Sequence, residues 1–367
     1  MSGFVVPLSK HLASLPIYVP GKSIELVAKE LGMDPNVLIK LASNENSLGP
    51  SKKAISAMKK EILRTNIYPD GSYIPLKTKI AKKFSLNVDN IALGNGSNEL
   101  IELVGHTMLA EGDEVLVSQY CFAIYLIVAK LFKATPIVVP AKNYGANLSA
   151  MLVAITPKTK VIFLANPNNP TGTFIEEKEL FDFLNKVPKN ILVVLDEAYV
   201  EYIDKSIDLI SLVRSNQLSN LVILRTFSKM YGLAGLRLGY AIANPEFIQA
   251  LDRVRAPFNV NVIANSAGLA ALDDLVHVNK TRKMNFEGVQ YLEKSLKELN
   301  TEFVSSKANF VMLKVGQGVK VFKELQKEGV IVRPLDGYNL PEWVRVTVGV
   351  VGENEKFINA LKKVLKK

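Results

Sequence analysis

The chain has 367 residues, enough for a large core and two lobes, and its 48% hydrophobic and 22% charged content matches an ordinary globular protein. One cysteine, Cys121, excludes an internal disulfide and suits a reducing compartment, no zinc-finger spacing occurs, and three histidines cannot build much of a metal site. The net charge of +10 is scattered in pairs such as Lys52-Lys53, Lys82-Lys83 and Lys362-Lys363, which read as solvated helix faces in a field that gathers anionic substrates, not as a nucleic-acid stripe.

Residues 1–45 carry turn breakers (Pro7, Pro16, Pro20, Gly21, Gly32, Pro35) around one short helix, 22–31, and read as an arm that packs on something else. Residues 1–20 hold no long apolar segment, and the longest apolar run, Cys121 to Ala129, is nine residues where a membrane span needs about 20. The expectation is a soluble cytoplasmic protein with no membrane and no nucleic-acid partner. Strands are expected at 91–93, 114–118, 136–139, 160–165, 191–195, 221–224 and 238–243, alternating with helical patterns. Their aliphatic runs show little polar alternation, as in a parallel sheet covered by helices on both faces. Residues 246–297 read as helices, with a long one over 277–298. Strands at 302–304, 309–314, 330–333 and 343–348, with helices at 317–328 and 353–366, complete a smaller α+β lobe. The expected fold is α/β: an N-terminal arm (1–45), a large domain with a mostly parallel central sheet (46–260) and a small C-terminal domain (261–367).

Sheets of this kind bind ligands at the carboxyl ends of their strands, and four motifs fall there. Gly94-Asn95-Gly96-Ser97-Asn98-Glu99 opens a helical run and offers N–H groups to a phosphate, although a plain capping turn reads equally well. Glu99 stands where a dinucleotide fingerprint has its third glycine. Asn166-Pro167-Asn168-Asn169-Pro170-Thr171-Gly172 defines a rigid turn that can aim Asn169 at a ring hydroxyl. Asp196, in Asp196-Glu197-Ala198-Tyr199, ends an aliphatic strand, where a carboxylate is costly unless paired. Magnesium is one conceivable partner, but no phosphate loop of the nucleotide hydrolases accompanies it; the other is a protonated pyridine nitrogen. Lys229 follows the 221–224 strand and can form a Schiff base with a carbonyl cofactor, with Thr226, Ser228 and Arg237 beside it to hold a phosphate. A phosphate cradle, an Asn–Tyr pair, an Asp for a ring nitrogen and a Lys for an aldehyde together match pyridoxal 5′-phosphate.

With these motifs, the chain resembles the fold-type-I pyridoxal-phosphate aminotransferases. The segments Tyr18-Val-Pro-Gly-Lys22, Lys40-Leu-Ala-Ser-Asn-Glu-Asn46 and Tyr68-Pro-Asp70 point to the histidinol-phosphate branch, and the resemblance runs on to Arg345-Val-Thr-Val-Gly349. It implies a homodimer acting on L-glutamate and histidinol phosphate in histidine biosynthesis. It further implies that Lys229 bonds the cofactor and moves the proton at the substrate Cα, that Asp196 pairs with the ring nitrogen, and that Asn169 and Tyr199 bond the ring oxygen. Ser97 and Asn98, Thr226 or Ser228, and Arg237 would hold the cofactor phosphate, and Tyr68 would reach it in the neighbouring subunit. Phe122 takes the place of an aromatic that stacks on the ring, often Tyr in relatives, and Ser47 stands where relatives often have proline. Arg345 would clamp the substrate α-carboxylate, and Arg333 with Tyr18 the distal phosphate. An aromatic amino acid aminotransferase or a threonine-phosphate decarboxylase keeps the same catalytic set. Rivals of other classes are a nicotinamide-dependent oxidoreductase built on the Gly94–Glu99 turn and a cofactor-sensing transcription regulator. The regulator would need a DNA-binding domain that residues 1–45 are too short and proline-broken to form.

Overall fold

A computed structural model describes His11, Leu15, residues 21–204 and residues 207–366. Tyr18 lies outside the described residues. In chain order the elements are α1 (Ile24–Leu31), β1 (Ile39–Lys40), α2 (Lys52–Glu61), α3 (Ile74–Lys83), β2 (Ile91–Gly94), α4 (Ser97–Met108), β3 (Glu114–Ser118), α5 (Ala123–Leu131), β4 (Thr135–Val139), α6 (Leu148–Val153), β5 (Thr159–Ala165), α7 (Glu177–Lys186), β6 (Leu192–Asp196), α8 (Ile210–Arg214), β7 (Leu221–Thr226) and β8 (Gly239–Ile242). They continue with α9 (Pro245–Val254), α10 (Val262–Ala271), α11 (Leu275–Glu298), β9 (Phe303–Val304), β10 (Phe310–Lys314), α12 (Gly318–Lys327), β11 (Val330–Ile331), β12 (Arg333–Pro334), β13 (Trp343–Thr347) and α13 (Val351–Leu365).

The large sheet has the order β2-β8-β7-β6-β5-β3-β4. Alternate strand residues enter two cores. Val193, Leu195, Leu221 and Ile223 pack with α2, α3, α6, α7, α8 and α10, whereas Leu192, Val194, Val222 and Leu224 pack with α4, α5 and α9. Both faces are covered, so the strands have no polar side, and each fully buried Leu, Ile or Val adds roughly 1.5–3 kcal/mol. β8 departs from the parallel pattern: it runs antiparallel to both β7 and β2. Residues 227–238 therefore return directly at the carboxyl end of β7. A periodicity reading cannot detect this, because a buried aliphatic run looks the same in either direction.

The small sheet, β12-β13-β10-β9, is antiparallel throughout. It shares a core with α11, α12 and α13 through Leu292, Val311, Leu325, Val346, Phe357 and Leu361. Residues 21–45 pack on this lobe of the same chain. Ser23 caps α1 by accepting from the Leu26 N–H at 3.2 Å, and Gly32 ends the helix at φ 64, a left-handed conformation that glycine adopts without strain. Val27, Ala28, Leu38 and Ala42 bury against Ile331, and β1 adds in parallel to β11. β1, of two residues, is too short to carry a period. The 330–333 run divides at Val332, with β11 pairing to β1 and β12 to β13. Beyond residue 260, α10 still belongs to the large body, since Ala264, Ala267 and Ala271 share its core.

Candidate active site

The carboxyl ends of β5, β6 and β7, the amino end of α4, the 42–45 segment and the β12–β13 pair surround a cavity of about 380 Å³. Ser97, Asn98, Phe122, Asn169, Asp196, Tyr199, Thr226, Ser228, Lys229, Arg237, Arg333 and Arg345 all line it. Tyr68 does not. It is 79% exposed and stacks on Phe258 at 4.8 Å, beside a surface groove that includes Pro257 and Ile263.

The antiparallel β8 brings the glycine turn and the lysine loop together. In register, Gly239 faces Thr226 on one side and Gly94 on the other. Arg237 thus returns beside both the 226–229 segment and the start of α4. Its Nη1 donates to the Ala234 carbonyl at 3.0 Å and to Ser228 Oγ at 3.4 Å. Gly96, at φ 81, is the N-cap of α4 and provides no side-chain cap. A Cβ there would lie 2.5 Å from Arg237 Nη2, so only glycine lets the guanidinium reach the helix end. Uncapped N–H groups, a helix dipole, an arginine and two hydroxyls form an anion cradle.

Alternation along β6 sets the roles of two adjacent acids. Asp196 continues the face of Leu192 and Val194. There Tyr125, on α5, donates to its Oδ2 at 2.8 Å, and the Ala198 N–H donates to its Oδ1 at 3.1 Å. Burial raises the Asp196 pKa, and these two hydrogen bonds oppose that only in part. Glu197 turns to the opposite face and takes Arg225 at 2.7 Å in a buried pair that ties the ends of β6 and β7.

Lys229 Nζ donates to the Ser43 carbonyl at 3.3 Å and stands 5.7 Å from the Tyr199 ring. Burial lowers its pKa to about 8, with Arg345 adding to the effect. Tyr199 is pushed up to about 12 by burial and keeps its proton at neutral pH. Its oxygen accepts from Asn44 Nδ2 at 2.9 Å, so its hydroxyl hydrogen is available to another acceptor. Arg345 donates through Nη1 to Asn169 Oδ1 and through Nη2 to the Ala42 carbonyl at 2.9 Å. Asn169 therefore presents its amide N–H groups as donors. Arg333 sits directly opposite Arg345 in the β12–β13 register.

The donor set fits pyridoxal 5′-phosphate. The anion cradle suits the phosphate, the Asn169 amide and Tyr199 hydroxyl suit a phenolic oxygen, buried Asp196 suits a protonated ring nitrogen, and Lys229 suits the aldehyde. Sequence reasoning missed Tyr125, Ser43 and the role of Asn44. Tyr125 lay inside an apolar run, where only its helical spacing from Phe122 marked the cavity face. Asn44 was within a recognised segment but is brought to Tyr199 by tertiary packing. Among the described residues no helix is long and apolar enough to cross a membrane, and no cluster of three or more His, Cys, Asp or Glu could hold a metal.

Residues 36–363 match the family model of aminotransferase class I and II. The chain is 45% identical over 358 residues to histidinol-phosphate aminotransferase of Akkermansia muciniphila, covering 97% of this chain and 98% of that protein. It is 45% identical over 367 residues to histidinol-phosphate aminotransferase 2 of Pseudomonas fluorescens, covering 100% of this chain and 99% of that protein. The fold matches the crystal structure of histidinol-phosphate aminotransferase from Sinorhizobium meliloti in complex with pyridoxal-5′-phosphate, with a TM-score of 0.89, 24% identity, and coverage of 100% of this chain and 99% of that one.

Proposed function

The chain belongs to the class I and II aminotransferases, and we propose that within this family it is a histidinol-phosphate aminotransferase. It moves the amino group between L-histidinol phosphate and 2-oxoglutarate, giving imidazole-acetol phosphate and L-glutamate, with pyridoxal 5′-phosphate as cofactor. The observation that carries the reading is the cavity's paired arginines, Arg333 and Arg345, in a chain 45% identical along its length to histidinol-phosphate aminotransferases. One guanidinium suits an α-carboxylate and the other a distal anion, whether phosphate or second carboxylate, so one site serves both amino donors. The setting we propose is histidine biosynthesis in the cytoplasm. The test is to assay the holoenzyme with histidinol phosphate and with phenylalanine as donors to 2-oxoglutarate. A preference for phenylalanine would sink the reading in favour of an aromatic aminotransferase.

When bound, the cofactor supplies an aldehyde that condenses with amines and a protonated ring that accepts electrons. Ser97 and Asn98 N–H groups, Thr226, Ser228 and Arg237 would hold its phosphate, and Phe122 would pack on the ring. Asn169 and Tyr199 would donate to the ring oxygen, and Asp196 would keep the ring nitrogen protonated. Lys229, with a pKa of about 8, is available as an amine nucleophile and as a base for the substrate Cα proton. Arg345 would orient the α-carboxylate of glutamate, and Arg333, with Tyr18, the distal anion.

Histidinol phosphate has no α-carboxylate. Arg345→Ala should therefore slow the glutamate half-reaction roughly 100-fold, the scale of a lost charged hydrogen-bonded pair, and slow the histidinol-phosphate half-reaction less. Single-turnover absorbance follows each half separately. Equal losses would mean that the arginines do not divide the work in this way, and a greater loss with histidinol phosphate would mean that their roles are exchanged.

The working enzyme we propose is a two-fold homodimer in which Tyr68 serves the partner's site. Its exposure away from its own chain's cavity supports this. Mixing Lys229→Ala protomers with Tyr68→Ala protomers should restore activity, because one of the two sites in a mixed dimer is intact. Mixed dimers that regain none would show that Tyr68 does not act across the interface.

A further inference from the structure

The cavity is lined by four cationic side chains, Lys229, Arg237, Arg333 and Arg345, and by two acids, Asp196 and Glu45. The cations match substrates and a cofactor rich in anions. Asp196 accepts from Tyr125 and from the Ala198 N–H. Glu45 has no part in the scheme above, yet it is held in place with care. Asn44, 1% exposed and left-handed at φ 54, donates its N–H to Thr347 Oγ1 at 2.9 Å and its side-chain amide to Tyr199 at 2.9 Å. Asn309 donates to the Asn44 carbonyl at 3.0 Å. The backbone entering Glu45 is thus fixed from the large body and from the small sheet together. Lys40 Nζ then anchors Glu45 Oε1 at 2.9 Å, with the Glu45 side chain 44% exposed. Glu45 also acts on the Lys229 ammonium more strongly than Asp196 does, and against Arg345, so its charge is felt where the substrate amine arrives.

Resting on the aminotransferase reading above, we propose that Glu45 is a specificity residue that accepts a hydrogen bond from the imidazole N–H of the histidinol-phosphate substrate. The two amino donors differ in one respect that the arginines cannot read. Glutamate carries a second anion, whereas histidinol phosphate carries both an anion and an imidazole. An imidazole always offers at least one N–H and near neutral pH is partly cationic, so a carboxylate is its natural partner. The same charge repels glutamate's distal carboxylate and keeps it on the arginine side of the cavity. A site that bonds a substrate N–H rejects analogues that lack it, because its own polar group is left unpaired.

The probe pair is histidinol phosphate and phenylalaninol phosphate, which share the amine, the phosphate and an aromatic ring but differ in the ring N–H. Single-turnover rates of the holoenzyme give the selectivity ratio, and calorimetric titration of the apo-protein gives a second ratio independent of turnover. Glu45→Met should cut both ratios about 10- to 100-fold, the scale of one hydrogen bond to a charged acceptor. Glu45→Gln, a neutral acceptor, should fall between Met and the natural residue. Thermal melts establish that each variant is folded; should Met unfold the chain, the Gln ratio alone decides. Ratios unchanged in folded variants overturn the role of Glu45 and leave the proposed reaction standing. A natural enzyme that does not turn over histidinol phosphate at all overturns both.

Discussion

Asp196→Asn is expected to keep the bound cofactor and lose transamination by about 10²–10³-fold, the scale of one preorganised electrostatic group. The amide is nearly isosteric, and Tyr125 and the Ala198 N–H can still reach its single acceptor oxygen, though not both in their present geometry. The other groups proposed to hold the cofactor, the α4 amino end, Arg237 and Lys229, are untouched. What disappears is the negative charge that would hold a ring nitrogen protonated. The loss should be similar with glutamate and with histidinol phosphate, because the ring serves both half-reactions. Absorbance of the bound cofactor measures retention, and single-turnover rates measure the rest. Near-normal turnover would remove the proposed role of Asp196, and equal loss of cofactor and activity would make it an anchor instead.

The outcome at Asp196 bears on what a sequence can reveal. The strand ending in Asp196 was legible because both neighbouring faces are covered: Val193 and Leu195 enter one core and Leu192 and Val194 the other, which leaves an unbroken aliphatic run. The carboxylate at its end was conspicuous for the same reason. Lys229 was legible by its place after a run of the same kind. The direction of β8 was not legible, and yet it is what delivers Arg237 to Gly96. Nor was Tyr125, whose hydroxyl meets Asp196 only because α5 packs over β6. Residues with a chemical reason to be unusual showed in one dimension, while the partners that hold them in place are ordinary residues identified only by contact. The Arg225–Glu197 pair belongs to the second kind, since nothing local marks Glu197 as facing away from its neighbour Asp196.

The largest effect is expected at Lys229. Lys229→Met should abolish transamination with every donor, by at least about 10⁴-fold, the upper range for one general base. Borohydride reduction followed by peptide mapping should find the pyridoxyl group on Lys229 in the natural protein and none in the variant; a label on any other lysine would sink the assignment. The apo-protein should respond in the opposite sense. Burial and Arg345 lower the Lys229 pKa from its ordinary 10.5 to about 8, so below that pH the folded chain bears a cost that the unfolded chain does not, at most roughly 3 kcal/mol. Between about pH 8 and 10.5 the unfolded state binds more protons, and the stability of the natural apo-protein rises with pH. Methionine has a similar length and does not titrate. The variant should therefore melt higher than the natural apo-protein at pH 7, and the gap should close as pH rises through that window. Thermal melts of both apo-proteins at pH 7 and pH 9.5 decide it. A variant less stable at pH 7 would mean that the ammonium is paired well enough for folding to favour it. A more stable but inactive variant would mean that this lysine is kept in place by its chemistry, against the interest of the fold.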